Sequence, residues 1–279
     1  MESFPLEDLP KRSAWAAYLL DPSREPPDEL TAYTGRERYA EIYAHLLQTH
    51  RNQPRPPAET ISRIHSRGPD EPTLVSRAES LYLLEDEEHL ERERTVVRQA
   101  LEPVISGEET VLDLGCGWGW TLETIASAFP DVCVLGGEYV PAGVAFVREA
   151  LANQEPRISV TEFDFHGNWN LLNDVDGDCV VFTKGALVTL EVTEPVVDRL
   201  DRLAASGELS AGVHLEQVGP HPETTLGLLR SRYSTIRGYN DDALEQLQAA
   251  PSLEVTDVTY DVHGSNPLHP LTRIRWRAR

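Results

Sequence analysis

The sequence contains little lysine, cysteine and methionine, and it has no long apolar run. Lys11 and Lys184 are its two lysines, and Lys+Arg 25 against Asp+Glu 46 leaves a formal charge of -21. This balance argues against a sequence-independent nucleic-acid binder, because affinity for phosphate backbones depends on clustered cations. Adaptation to a salt-rich solvent would explain the acidity equally well. We therefore expect no nucleic-acid partner.

The sparse cysteines argue against a disulfide or zinc scaffold. Cys116, Cys133 and Cys179 lie in apolar or glycine-rich segments without CxxC spacing, so we interpret them as buried thiols of a reducing compartment. The acidic stretch at 174–178 lacks the pattern of a calcium loop, and we expect an ordinary turn and no metal. The apolar stretch 14–20 is too short for a signal peptide or a membrane span. A cytoplasmic location is the default expectation.

Residues 1–107 are predicted to form an accessory region of helices joined by proline-rich links, with no good strand. Asp28 is a candidate N-cap, and the apolar residues between Tyr39 and Leu47 follow helical spacing. A second amphipathic tract covers residues 76–104 and ends at a proline and a glycine.

From residue 108 to 279, strand patterns alternate with helix patterns, which is typical of a doubly wound parallel sheet. The last two strand patterns are separated only by residues 263–270. A parallel pair needs a crossover of a dozen residues or more, so this pair must be antiparallel. The predicted class is α/β: a Rossmann-like, seven-stranded, mostly parallel sheet with an antiparallel last strand, plus the helical N-terminal region. The predicted strands are 110–115, 132–140, 158–165, 178–187, 211–219, 253–262 and 271–279.

A glycine-rich turn, VLDLGCGWGW at residues 111–120, follows the first of these strands. In open α/β sheets the ligand binds beyond the carboxyl ends of the strands, where such a turn leads into a helix. The dinucleotide fingerprint requires glycine at position 120, which is Trp, and no GK[ST] of a phosphate loop follows. A nucleoside ligand without a pyrophosphate remains. Gly115 and Gly117 would leave room for it, and Gly119 would let the helix lie close to the strand.

The glycine motif, together with the strand order over residues 108–279, resembles the class I S-adenosylmethionine-dependent methyltransferases. The resemblance implies S-adenosylmethionine as the cofactor, with the glycine loop under its methionine part. It also implies that Glu138 grips the ribose hydroxyls and that Asp164 faces the adenine amine. Glu138 lies about 20 residues beyond the glycine loop, as a ribose-binding carboxylate should. The full expected set is Asp113, Gly115, Cys116, Gly117, Gly119, Glu138, Asp164 and Phe165.

The sequence after the fourth strand of the sheet bears on the methyl acceptor. It contains no DPPY, NPPY or Pro-Cys motif, which disfavours methylation of nucleic-acid bases. A hydroxyl acceptor needs a base at the carboxyl edge of the sheet. We favour His221 and His166 there, and we interpret the mid-strand His214 as a core residue. The other candidates near strand ends are Lys184, Glu216 and His263.

Residues 225–240 gather arginine and tyrosine in an otherwise acidic chain. We interpret them as a lid in which Arg230, Arg237 and Tyr233 bind a carboxylate or a phosphate of the acceptor. A solvent-facing helix with paired arginines is the alternative.

The sequence thus predicts a methyltransferase acting on a small-molecule hydroxyl, such as a sugar or natural product. The closing residues 264–276 resemble the final hairpin of sugar O-methyltransferases. Residues 1–107 would cover the site or form a homodimer contact, with 63–77 as a substrate-side loop. Methylation of a small amine or a protein side chain stays open. So do a cofactor-binding protein without catalysis and a nicotinamide-dependent reductase.

Overall fold

The computed structural model describes residues 2–27, 29–31, 35–66, 72–107, 109–152, 157–175 and 177–279. Some of the sequence predictions fall outside these residues. They are the Asp28 cap, positions 67–71 of the expected substrate-side loop, Asp176 and the side chain of Asp174.

The N-terminal region combines helices with a small antiparallel sheet, so the prediction that it holds no strand is wrong. The sheet has the order β1-β3-β2. Its hairpin forms where a continuous helix was expected, and the helix that follows begins only where three acidic residues complement its positive N-terminal end. The elements are β1 (Glu2–Phe4), α1 (Leu9–Arg12), α2 (Ala14–Leu20), α3 (Arg36–Asn52), α4 (Pro57–His65), β2 (Thr73–Arg77), β3 (Ser80–Leu84) and α5 (Asp86–Leu101).

The rest of the chain forms the predicted sheet, with all seven strands in place. The strand order is β6-β5-β4-β7-β8-β10-β9, and β10 is antiparallel to both of its neighbours. This confirms the predicted class and the reversed last strand. The elements are β4 (Thr110–Leu114), α6 (Trp120–Ala128), β5 (Cys133–Glu138), α7 (Pro141–Ala150), β6 (Ile158–Glu162), β7 (Cys179–Lys184), α8 (Glu194–Ser206), β8 (Ala211–Glu216), α9 (Thr225–Arg237), α10 (Ala243–Ala249), β9 (Leu253–His263) and β10 (Leu271–Ala278).

Helices cover both faces of the large sheet. Val111 and Leu112 are adjacent on β4, and both are fully buried. Val111 packs with side chains of α5, α6 and α7, whereas Leu112 packs with those of α8 and α10. Burial on both faces explains why the strands are almost continuously apolar. The chain order reverses between β4 and β7, so the ligand-binding edge lies at the carboxyl ends of these two strands.

Cys116 and Cys179 are buried as expected, but Cys133 is exposed because it opens β5 at the far end of the strand from the core.

Within the described ranges, none of the helices combines the length and the apolar character that a membrane crossing needs.

A buried ion-pair group joins the small sheet to the large one. Arg230 of α9 is 1% exposed; it donates a hydrogen bond to Asp261 at 2.8 Å and pairs with Glu79 of the β2–β3 turn. Asp261 also accepts from the Ser76 hydroxyl at 2.7 Å and from the Glu79 backbone at 2.8 Å. Helix α9 is therefore a packing element between the two sheets.

Candidate active site

A cavity of about 610 Å³ lies at the carboxyl ends of β4, β5, β6 and β7. Its volume is in the range of small-molecule sites. The N-terminal region contributes Tyr39, Tyr43 and His65 to its wall, so the cavity is formed by both parts of the chain. The other lining residues are Gly115, Cys116, Gly117, Trp118, Trp120, Thr121, Glu138, Tyr139, Val140, Phe163, Asp164, Phe165, His166, Lys184, Gly185, Ala186, Thr189, Leu190 and Glu191.

Glycine is required at the first position of the glycine loop. Gly115 has φ +80°, and a Cβ there would lie 2.6 Å from the Cβ of Ala186. The structure explains the need for glycine at position 119 differently from the prediction. A Cβ at Gly119 would lie 3.3 Å from Val147 of α7, so the close approach is between helices rather than between helix and strand.

Glu138 ends β5 beneath the glycine loop. Its carboxylate accepts hydrogen bonds from the backbone N–H of Gly117 at 3.1 Å and of Val140 at 2.9 Å. The side chain is 5% exposed, and this burial raises the pKa of Glu138 to about 7. A carboxylate held by the loop and lining the cavity is therefore close to its midpoint of ionisation at neutral pH.

The other predicted cofactor residues divide into two groups. Cys116, Asp164 and Phe165 line the cavity with Glu138. Asp113 does not; it lies below the loop, where it accepts a hydrogen bond from Thr121, and burial raises the pKa of Asp113 to about 7. Asp113 is thus connected to the cavity wall by its hydrogen bond from Thr121, which does line the cavity.

A charged cluster borders the same cavity, and it joins the sequence candidates Lys184 and His263 to Glu93 and His65, which the sequence did not indicate. Glu93 of α5 is 4% exposed, and its carboxylate lies 3.5 Å from the Lys184 ammonium and pairs with His65. The Ser265 hydroxyl donates to its other oxygen. Burial opposes ionisation, but Lys184 and His65 hold the pKa of Glu93 well below its usual range. No motif or spacing connects residues on α4, α5 and β7, so only their three-dimensional packing reveals the cluster.

His89 and His263 lie behind Glu93, with ligand atoms of the three residues within 4.8 Å of one another. Both oxygens of Glu93 already accept hydrogen bonds. The neighbouring Lys184 ammonium would also repel a metal cation. We therefore interpret this group as a hydrogen-bonded network rather than as a metal site.

The predicted catalytic residues do not lie together. His166 lines the cavity, whereas His221 is half-buried beside Gln217 and outside the cavity wall. Burial, together with the nearby Arg230, lowers the pKa of His221. Glu216 accepts hydrogen bonds from the backbone N–H groups of Ala186, Leu187 and Val188, which holds the loop after β7.

His214 is a core residue, as predicted. It is fully buried and hydrogen-bonds Thr183 and Trp276, each at 2.9 Å. Burial lowers the pKa of His214 to about 3, so the ring stays neutral.

The structure does not bring the expected lid residues to the cavity. Arg230 lies in the ion-pair group between the sheets, and Tyr233 packs in the N-terminal core 5.3 Å from the Trp15 ring. Arg237 lies over the same ring at 5.0 Å. Arg230 and Arg237 have partners, as in the alternative interpretation, whereas Arg232 is exposed. The helix is packed rather than solvent-facing.

The strand order, the reversed last strand and the glycine loop at the switch point agree with the fold that the resemblance to class I S-adenosylmethionine-dependent methyltransferases implied. A family model described as a methyltransferase domain matches residues 111–207. The chain therefore contains a methyltransferase domain, and the predicted enzyme class and cofactor are confirmed.

Two solved structures are similar in fold. Mitomycin 7-O-methyltransferase MmcR is 17% identical with a TM-score of 0.50, and the match covers 96% of this chain and 76% of that one. Geranyl diphosphate C-methyltransferase from Streptomyces coelicolor A3(2), in complex with Mg²⁺, geranyl diphosphate and S-adenosyl-L-homocysteine, is 10% identical with a TM-score of 0.50. That match covers 69% of this chain and 81% of that one. No curated protein matches the chain.

Proposed function

We propose that this protein transfers the methyl group of S-adenosylmethionine to a hydroxyl oxygen of a small molecule. The observation that carries the proposal is the cavity of about 610 Å³, in which the glycine loop, Glu138 and Asp164 meet under a cover from the N-terminal region. Because the N-terminal region covers the cavity, we favour an acceptor small enough to lie inside it.

The residues at the strand ends fit the cofactor. Glu138 is a carboxylate anchored by two backbone N–H groups, which suits the two hydroxyls of a ribose. Asp164 can accept from the adenine amine, with the Phe165 ring beside it. Gly115 keeps the backbone open where the methionine part would lie. The bound cofactor supplies a methyl group on a sulfonium, and the cavity carboxylates favour that cation.

The N-terminal region acts as the cover in this proposal. The ring of Tyr43 approaches Gly143, so close that a Cβ there would lie 2.9 Å from it. Burial and the nearby Glu138 raise the pKa of Tyr43, so its hydroxyl stays neutral beside the ribose site. MmcR, whose match extends over almost the whole chain, is named an O-methyltransferase, which agrees with a hydroxyl acceptor.

Methyl transfer is a displacement in which the enzyme chiefly positions the acceptor and, for a hydroxyl, removes its proton. His166 is the predicted base that lies in the cavity wall. It is exposed to solvent and can release the proton to water. We propose His166 for this role, because His221 does not reach the cavity.

Glu138→Ala is expected to weaken binding of S-adenosylmethionine about 100-fold. Two hydrogen bonds to a charged acceptor are worth about 3 kcal/mol together, and 1.4 kcal/mol corresponds to a tenfold change. Calorimetric titration with S-adenosylmethionine and S-adenosylhomocysteine measures the effect. Glu162→Ala is the matched control, because Glu162 ends the neighbouring strand β6 but is exposed outside the cavity wall. Equal affinities for the Glu138 variant and the wild type would refute the proposed cofactor contact.

Cofactor affinity is also expected to depend on pH. With the pKa of Glu138 raised to about 7 by burial, the carboxylate that binds the ribose is mostly ionised at pH 8 and mostly protonated at pH 6. Affinity should therefore fall as pH decreases from 8 to 6, by at most about tenfold per pH unit below the pKa. The same titration at pH 6, 7 and 8 measures this, with Glu138→Gln as the variant that should flatten the profile. An equally steep profile in that variant would assign the dependence to another group.

A further inference from the structure

We propose that Lys184 binds the acceptor oxygen as an anion, so that the substrates of this enzyme are acidic hydroxyls of the phenol or enol class. The inference rests on the proposed function and narrows it. It excludes amines and neutral alcohols as preferred acceptors.

The first observation is the position of Lys184. It is the last residue of β7 and lines the cavity next to the glycine loop. Among the described residues of the cavity wall, it is the only lysine or arginine. The other lysine, Lys11, is 74% exposed near the N-terminus and takes no part in the cavity.

The second observation is what holds Lys184. The Glu93 carboxylate lies 3.5 Å from its Nζ and is nearly inaccessible to solvent. His65 and Ser265 each hydrogen-bond one oxygen of Glu93. Because Lys184 and His65 hold the pKa of Glu93 well below its usual range, this carboxylate is a poor proton acceptor. It acts as a buried counter-ion to the Lys184 ammonium, whose side chain lines the cavity.

The third observation is the surface around this cation. His65, which pairs with Glu93, also stacks on Trp120 with ring centroids 4.0 Å apart and planes at 6°. Both rings line the cavity, and Trp118 does so as well. The cofactor carboxylates are elsewhere, at the ends of β5 and β6. The cavity therefore has an aromatic end with one cation, which suits a planar ring that bears an ionised oxygen.

The charge of Lys184 also discriminates between acceptor atoms. An ammonium beside the acceptor attracts an oxyanion, whereas it repels an amine that carries or develops positive charge as it is methylated. The acceptor O–H proton passes to His166. The oxygen lone pair then forms the O–CH₃ bond, and the C–S⁺ bond breaks with its electron pair going to sulfur. The products are a methyl ether and neutral S-adenosylhomocysteine, and the Lys184 ammonium is unchanged.

Matched probes test the inference with the full-length protein and methyl-labelled S-adenosylmethionine. Within each probe set the same aromatic ring bears a hydroxyl, a hydroxymethyl or an aminomethyl group. The two-ring set is 2-naphthol, 2-naphthalenemethanol and 2-naphthylmethylamine, and one-ring and three-ring sets are built in the same way. We expect labelled product from phenols in preference to their partners. Lys184→Met should lower kcat/KM for phenols by about 100-fold or more, the size of effect seen when one oxyanion donor is removed. Lys11→Met should leave it unchanged.

Glu93 is tested as a positioning residue through a double-mutant cycle. If it acts through Lys184, adding Glu93→Gln to Lys184→Met should cost little more than Lys184→Met alone. Additive losses would assign Glu93 a separate structural role.

Three outcomes would overturn the inference: products mainly from alcohols or amines, a Lys184→Met variant as active as the wild type, or no product from any phenol. In each case, calorimetric binding of S-adenosylmethionine shows whether the proposed function itself still stands. If the cofactor does not bind to the wild type, the proposed function fails first.

Discussion

Gly115→Ala is expected to abolish measurable binding of S-adenosylmethionine and to destabilise the protein by about 2–5 kcal/mol. A left-handed backbone costs an L-residue about 1–2 kcal/mol, and overpacking adds about 1–3 kcal/mol. Gly115 has φ +80°, and the new methyl would lie 2.6 Å from the Ala186 Cβ. Relief of the clash would separate the glycine loop from the loop after β7. Those two loops form adjacent walls of the cavity, so the cofactor site would be lost with them.

Urea denaturation and calorimetry measure the two effects, and two further variants separate their causes. Gly207→Ala has the same backbone strain, with φ +82°, but no atom within 4 Å of the new methyl. The stability of Gly207→Ala should fall only by the cost of the strained backbone, and the variant should keep cofactor binding. Combining Gly115→Ala with Ala186→Gly removes the clash and should restore part of the stability. Normal cofactor affinity in Gly115→Ala would show that the loop tolerates a side chain and would refute this account.

Arg230→Met is expected to lower the free energy of unfolding by about 3–5 kcal/mol, the cost of breaking a buried ion pair by removing one partner. Arg230 is 1% exposed, and its loss would leave Asp261, which is 2% exposed, without its cation. The same change would loosen the β2–β3 turn, which Glu79 ties to the arginine. Chemical denaturation monitored by tryptophan fluorescence measures the loss.

Arg232→Met is the matched control, since it lies on the same helix but is exposed and should change stability by no more than about 0.5 kcal/mol. The experiment also tests the lid hypothesis. If Arg230 binds the acceptor, its loss should raise the acceptor KM with little change in stability. A large loss of stability with an unchanged KM in the remaining folded enzyme would support the structural role.

The large sheet could be predicted because the sequence patterns that specify its strands are local. Strands β4, β5, β7 and β8 are short apolar runs, each followed by a helix, and the short turn before β10 forces the final reversal. The small sheet could not be predicted in the same way. Ser80–Leu84 is followed directly by an acid-rich helix, so its apolar residues extend a helical pattern. Its strand character depends on pairing with Glu2–Phe4, at the other end of this region.

The same distinction applies to the site. Glu138 and Asp164 could be proposed from sequence because the family resemblance places an acidic residue at the end of each of two parallel strands, whose carboxyl ends meet at one edge of the sheet. His65 and Glu93 could not, since each lies on a helix whose packing onto the sheet is not encoded by any spacing. Arg230 illustrates the reverse error, in which a ligand-binding role was predicted for a residue that packs inside the protein. A cluster of arginines in an acidic chain suggested ligand binding, but the carboxylate partners of Arg230 are distant residues of the same chain.

By itself, the sequence determined the class of fold, the cofactor and the edge of the sheet where the cofactor belongs. The class of fold and the edge follow from local periodicity, from glycines at positions that need positive φ, and from the geometry common to all parallel sheets. The cofactor follows from the resemblance of the glycine motif and the strand order to the class I methyltransferases. Only the tertiary structure decided which side chains from the rest of the chain line the cavity beside the glycine loop. Contacts among α4, α5 and β7 bring Lys184, Glu93 and His65 together, and such contacts arise from packing between segments far apart in the chain.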